Sequence, residues 1–148
     1  MEEFLTLLVR AHKLLQAASD EAMSRHGVRI GQNLILEALW ETDGLTPGEV
    51  AARARLPITT PTIVNTATRM EAAGLLTRRR DPNDGRLVRL YLTDRAREAR
   101  RPIQEARRRL EDHATATLTD EERRHLRTAL TKIIEQLSPK PTDSGKGG

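Results

Sequence analysis

Residues 45–93 read LTPGEVAARARLPITTPTIVNTATRMEAAGLLTRRRDPNDGRLVRLYLT. Thr46-Pro47-Gly48-Glu49 opens the stretch with a capping hydroxyl, proline at the first helical position and an acid at the third. The helix it starts carries Val50, Ala51, Ala54 and Leu56 as its apolar side, and Pro57 stops it. Thr60-Pro61 is a second start signal, and Ile63, Ala67 and Met70 then recur at three- to four-residue spacing up to Gly74. Two short helices with a tight break between them form a helix-turn-helix pattern, one that many all-α domains share. Beyond Gly74 the apolar period falls from 3.6 to 2. Leu75–Arg80 and Leu87–Leu92 flank Asp81-Pro82-Asn83-Asp84-Gly85-Arg86, and a turn so rich in Asp, Pro, Asn and Gly predicts a β-hairpin.

Outward from this unit the chain reads as helix on both sides. Apolar stripes through Leu5, Leu8, Leu15 and Ala22 predict one long helix over 2–25, ended near His26-Gly27. Residues 31–42 are a second helix with Leu34, Ile35, Ala38 and Leu39 inward. Thr93-Asp94 caps an arginine-rich helix to about residue 115, and Pro102 inside it predicts a kink near 98–102. Thr119-Asp120-Glu121-Glu122 is a capping box for a last helix lined by Leu126, Leu130, Ile133, Ile134 and Leu137. Residues 138–148 read as a disordered tail.

Composition narrows the function classes. Among 148 residues there is one Phe, one Trp, one Tyr and no cysteine. A disulfide framework, a thiolate nucleophile, a Cys-zinc site and a thiol switch are therefore excluded. No apolar run reaches membrane-span length and no leader pattern opens the chain, so a soluble, cytoplasmic protein is expected. The net charge of +4 is uneven: residues 1–52 sum to −4, 53–109 to +9 and 110–148 to −1. All fifteen basic residues of the middle segment are arginine, whose forked donors suit phosphates and guanine edges. A polyanion-binding face and a solvated helix surface are both compatible with that charge. No nucleophile–base pairing, Gly-rich phosphate loop or paired-carboxylate motif points to an enzyme.

The order of these elements is a mainly α winged helix-turn-helix with a small β-hairpin wing, set in a helical dimerisation scaffold. At that level the chain resembles the MarR (multiple-antibiotic-resistance regulator) family. Leu45-Thr46 with Glu49-Val50-Ala51 matches the family's "lT..eLA", and Thr62-Ile63-Val64 with Arg69–Leu76 matches "tvs..v..Le..GLv". Arg78, Asp81–Arg86 and Leu92-Thr93 match "R...dp.D.R...v.LT". Met70 replaces the usual leucine, Gly85 stands where arginine is common, and the glycine usual after "LT" is missing. The resemblance implies a single domain over 1–137, with the winged unit at about 45–93 and dimerisation helices at about 2–25 and 94–137. It implies a homodimeric, sequence-specific double-stranded DNA-binding regulator, usually a repressor, that recognises a pseudo-palindromic operator and is released by a small-molecule effector. The alternative is a winged-helix protein-interaction module that does not read DNA.

A recognition helix in the major groove would present Thr60, Thr62, Val64, Asn65, Thr66 and Arg69. Asn65 can pair with both adenine N6 and N7, Thr62 and Val64 can meet a thymine methyl, and Thr60 and Thr62 can donate to phosphate. At the wing, Arg86 suits a narrow minor groove. The resemblance implies that Asp84 orients it by a salt bridge, while Asp at this place also caps turns. Alternation puts Arg78 and Arg80 on one face and Arg79 on the other, with one or two meeting phosphate. The remaining arginines, 95 to 109, read as a solvated face with i,i+4 partners, such as Arg97 and Arg101 against Glu98 and Glu105. Family resemblance suggests His12, Arg29 and Trp40, with Arg10, as candidates for lining an effector crevice. His12, His26, His113 and His125 are too scattered for a zinc site, and neither metal nor cofactor is expected.

Overall fold

A computed structural model describes residues 3–139. The elements are α1 (Phe4–Ser24), α2 (Gln32–Glu41), α3 (Pro47–Arg53), α4 (Thr60–Ala72), β1 (Leu76–Arg80), β2 (Val88–Leu92), α5 (Asp94–Glu98), α6 (Arg100–Ala114) and α7 (Asp120–Leu137). The fold is mainly α with a two-stranded antiparallel hairpin. Most of the expected tail, residues 140–148, lies outside the described residues. The chain divides after residue 111 into two compact units.

In the first unit, hydroxyl caps set the helix starts. Thr46 accepts the Glu49 N–H at 3.2 Å, and Thr93 accepts that of Ala96 at 3.3 Å. At α4 the cap is Thr59 rather than Thr60, accepting the Thr62 N–H at 3.4 Å, and Pro61 falls inside the first turn. That shift is tolerated because the first-turn N–H groups have no helical acceptor, so proline forfeits nothing there. α3 ends at Arg53 and not at Pro57. Ala54 is already extended (ψ 133°), which turns Leu56 out of the apolar side, 65% exposed.

Ile35, Leu36, Leu39, Val50, Ile63, Ala67, Met70, Leu75, Leu76, Leu90 and Ile103 form the core, each at most 1% exposed. Burying a Leu- or Ile-sized side chain stabilises by about 1.5–3 kcal/mol. α2 is enclosed more broadly than its expected stripe: Leu36 and Trp40 are buried, while Leu34 and Ala38 lie at the core's edge. Gly27 (φ 74°) and Gly74 (φ 77°) end α1 and α4 in the left-handed region. Behind them the Val28 N–H reaches Met23 O at 3.2 Å, and the Leu75 N–H reaches Met70 O at 2.9 Å. This is the paired-carbonyl stop that glycine permits.

The hairpin pairs Leu76 with Leu92, Arg78 with Leu90 and Arg80 with Val88. Its inner edge is extended by a bridge from Leu45 to Leu90 that sequence pattern did not show. The kink expected near Pro102 is a break at Ala99 between α5 and α6. Proline offers no N–H to the Glu98 carbonyl four residues back. α1 buries only Met23, and Phe4, Leu5 and Leu14 are 62%, 68% and 71% exposed.

In the second unit, the Thr119–Glu122 capping box forms in both directions, at 3.1 and 3.0 Å, and starts α7. α7 buries none of its residues, and Leu126, Leu130, Ile134 and Leu137 remain exposed.

Candidate nucleic-acid interface

α4 is anchored along one edge by Ile63, Ala67 and Met70, all fully buried. The 100° step per residue then sends Thr62, Asn65 and Arg69 outward, and all three are exposed. Thr60 is exposed in the first turn. Val64 lies on the edge nearer the hairpin with Thr68, whose hydroxyl receives Arg78 Nη1 at 3.1 Å. Thr66 lies on the opposite edge, half-buried, donating its hydroxyl to Thr62 O at 2.9 Å. Thr62, Asn65 and Arg69 are thus the outward residues, and Val64 and Thr66 flank them.

The hairpin tip is built on two aspartates. Asp81 accepts the N–H groups of Asn83 at 2.7 Å and Asp84 at 3.1 Å, and its second oxygen takes Arg89 Nε at 2.5 Å. Arg89 also donates to Gly44 O at 2.9 Å and lies 3.7 Å from Glu49, tying the wing to the α2–α3 turn and to α3. Asp84 accepts both the backbone N–H and Nε of Arg86 at 3.1 Å, with Nη2 at 3.4 Å. Turn cap and salt bridge therefore coexist, and the Arg86 side chain stays 91% exposed. The Arg86 guanidinium beside Asp84 and the Arg89 guanidinium beside Asp81 hold those carboxyls below the usual carboxylate range.

The three consecutive arginines differ in what they touch. Arg78 is held by Glu71 through Nε at 3.3 Å, Nη2 at 3.1 Å and its backbone N–H at 2.9 Å. That pairing depresses the Glu71 carboxyl. Arg79 lies over the Tyr91 ring, 5.1 Å from its centroid, in cation–π range. Arg80 is exposed, and like Arg69 it makes no hydrogen bond or ion pair with any described residue. The arrangement puts an outward polar helix face and an exposed, oriented guanidinium on neighbouring elements.

Residues 26–87, the helix-turn-helix and most of the wing, match the model of the MarR family. Over that segment, less than half of its length, the chain is similar to the MarR family. Its relatives there are transcriptional regulators and not enzymes. Over 75 residues it is 36% identical to the HTH-type transcriptional regulator TtmR of Methylorubrum extorquens, a match covering 51% of this chain and 37% of TtmR. It thus spans little more than a third of that relative's length. The structure of the S. aureus MepR–DNA complex is similar at a TM-score of 0.82 and 22% identity, covering 93% of this chain and 100% of that one. The organohalide-sensing regulator RdhR, solved in its 2,4-dichlorophenol-bound form, gives 0.84 and 21%, covering 97% and 87%. At these identities the likeness is one of fold.

The fold uses most arginines of α5 and α6 as ties and not as a solvated face. Arg95 donates to Ala73 O at 3.0 Å, Arg97 to Asp43 at 2.9 Å and Asp94 at 3.1 Å, Arg100 to Trp40 O at 3.1 Å, and Arg107 to Glu37 at 2.7 Å. The Arg101–Glu105 pair, at 3.4 Å, follows the expected i,i+4 spacing. Trp40 belongs to the buried core of the first unit. It is 8% exposed in the core, and its indole N–H donates to Ala96 O at 3.0 Å. His12 is exposed on α1, and Arg29 is exposed between α1 and α2. Among the described residues no group of three His, Asp or Glu side chains is placed to hold a metal. No helix among them is long and apolar enough to cross a membrane.

Sequence reading missed Arg89, Asp81 and Glu71, which hold the wing in place. Their side chains meet groups 7 to 45 residues away in the chain. The one local signal was Asp81 at the start of the turn, where aspartate caps.

Proposed function

We propose that this protein is a cytoplasmic, homodimeric, sequence-specific double-stranded DNA-binding transcription regulator of the MarR type, acting as a repressor that a small-molecule ligand releases. Residues 1–137 serve as one functional domain. The observation that carries the reading is the Asp84–Arg86 fork, which holds a 91% exposed guanidinium at the wing tip. α4 enters the major groove, where Asn65 pairs with adenine, Thr60 and Thr62 meet phosphate, and Arg69 reaches a base edge or phosphate. Val64 and Thr66 line the helix flanks. Arg86 enters the minor groove, with Arg79 and Arg80 against the backbone and Arg78, bound by Glu71, supporting the wing root.

A second copy covers the exposed apolar residues of α1 and of α7, and two winged units then read a pseudo-palindrome with half-sites about one turn apart. The ligand-bound form of RdhR supports a small-molecule effector for this chain as well.

Duplex titration and sedimentation test the reading together. Micromolar protein sediments as a dimer, and log K for its selected duplex falls linearly with log[salt], by about 0.9 per neutralised phosphate. A species of 16.6 kDa alone, or tight binding with no salt dependence, defeats it.

A further inference from the structure

We propose that a cavity on the edge of α4 away from the wing seats a backbone phosphate of the bound duplex. The proposal rests on the DNA-binding reading above. The cavity, about 200 Å³, is lined by Asp20, Arg29, Ile30, Gln32, Thr66 and Arg69, from the end of α1, the α1–α2 linker, the start of α2 and the flank of α4.

Its donors are in place and unused. Arg29 and Arg69 are exposed and make no hydrogen bond or ion pair with any described residue. Gln32 is only 6% exposed, and its Oε1 accepts the Arg29 N–H at 3.0 Å. Its carboxamide nitrogen donates to no described residue, so a buried amide is left with donors at the cavity wall. Gln32 is also the first residue of α2, whose N-cap, Gly31 (φ 86°), supplies no side-chain acceptor to the first-turn N–H groups. Asp20 is the opposing charge. One of its oxygens accepts the Ile30 N–H at 3.2 Å, which fixes the linker. Two guanidiniums against one carboxylate leave the seat net positive, with donors in excess, so it fits an oxyanion.

The fold indicates which oxyanion. A helix about 10–12 Å across fills a major groove about 12 Å wide, so its two flanks face the two phosphate backbones. The wing lies toward one flank of α4, where Arg78 meets Thr68. The cavity lies on the other, and Arg69 joins it to the outward face.

Arg29→Gln is the test, because the structural bond at this position comes from the backbone N–H and survives the change. On the selected duplex the salt slope becomes shallower by about 0.9, and affinity near 0.15 M salt drops about fivefold, the share of one phosphate. Base preference is unchanged, and Arg29→Lys restores most of the slope. An unaltered slope in Arg29→Gln overturns the seat while leaving the DNA reading intact. Failure of the wild-type chain to bind any duplex overturns both. Inorganic phosphate titrated into the free protein separates the sources. If it raises the melting midpoint of wild type but not of Arg29→Gln, while the salt slopes agree, the seat serves a free anion and the duplex assignment is wrong.

Discussion

Two arginine-bearing surfaces look alike in composition and differ in what their side chains hold. On α4 and the wing, Arg69 and Arg80 bond to no described residue, Arg79 rests on a ring and Arg86 is 91% exposed though oriented, while Arg78 and Arg89 are tied by Glu71 and Asp81. On α5 and α6, Arg95, Arg97, Arg100 and Arg107 are bonded to carbonyls or carboxylates of other elements. Charge density alone does not tell the two regions apart; what separates these residues is whether another element holds the guanidinium. Arg95 shows the contrast most clearly. Its Nη1 binds Ala73 O at the end of α4, and a Cβ on Gly27 would lie 2.7 Å from its Nη2. It closes the ends of two helices, where cations are favoured.

Substitutions on the two surfaces should therefore separate specificity, stability and salt dependence. Asn65→Ala, on the outward face, loses about 1–3 kcal/mol of discrimination at one base position per half-site. Its melting midpoint stays near wild type, and a selection that returns the same preference refutes its role. Arg95→Ala does the reverse. Loss of a charged hydrogen bond at an exposed helix end lowers stability in urea by about 1–2 kcal/mol, with the salt slope unchanged. A shallower slope in that variant would erase the distinction between the surfaces. Arg80→Gln should leave stability within about 0.5 kcal/mol and flatten the slope by about 0.9.

The smallest effect is acid dependence. Glu71, Asp81 and Asp84 have carboxyls depressed by their arginines in the fold. Their contribution is complete above the ordinary carboxylate value of about 4 and is lost as pH falls through the depressed values. Asp81→Asn should flatten the acid limb of the melting midpoint and leave the neutral range nearly parallel to wild type. An identical acid limb would show that the Arg89 tie does not hold the wing.

Much of this was legible in the chain because its signals are local. Ile63, Ala67 and Met70 declare one edge of α4 by spacing, the Asp-Pro-Asn-Asp-Gly-Arg turn declares the hairpin, and Pro102 declares the break. The cap at Thr59 was not separable from Thr60, since adjacent hydroxyls precede the same proline. The pairings Arg78–Glu71, Arg89–Gly44 and Arg107–Glu37 join elements through tertiary placement, which helical periodicity cannot register. The indole bond of Trp40 was hidden for the same reason: its acceptor, Ala96 O, lies 56 residues on.

The most direct test of the central claim is a selection from random duplexes, run side by side with wild type and the Asn65→Ala/Arg86→Ala double variant. The account predicts that wild type enriches a pseudo-palindrome with half-sites about one turn apart. It predicts that the folded double variant enriches none. No enriched site for wild type, or the same site for both proteins, would contradict it.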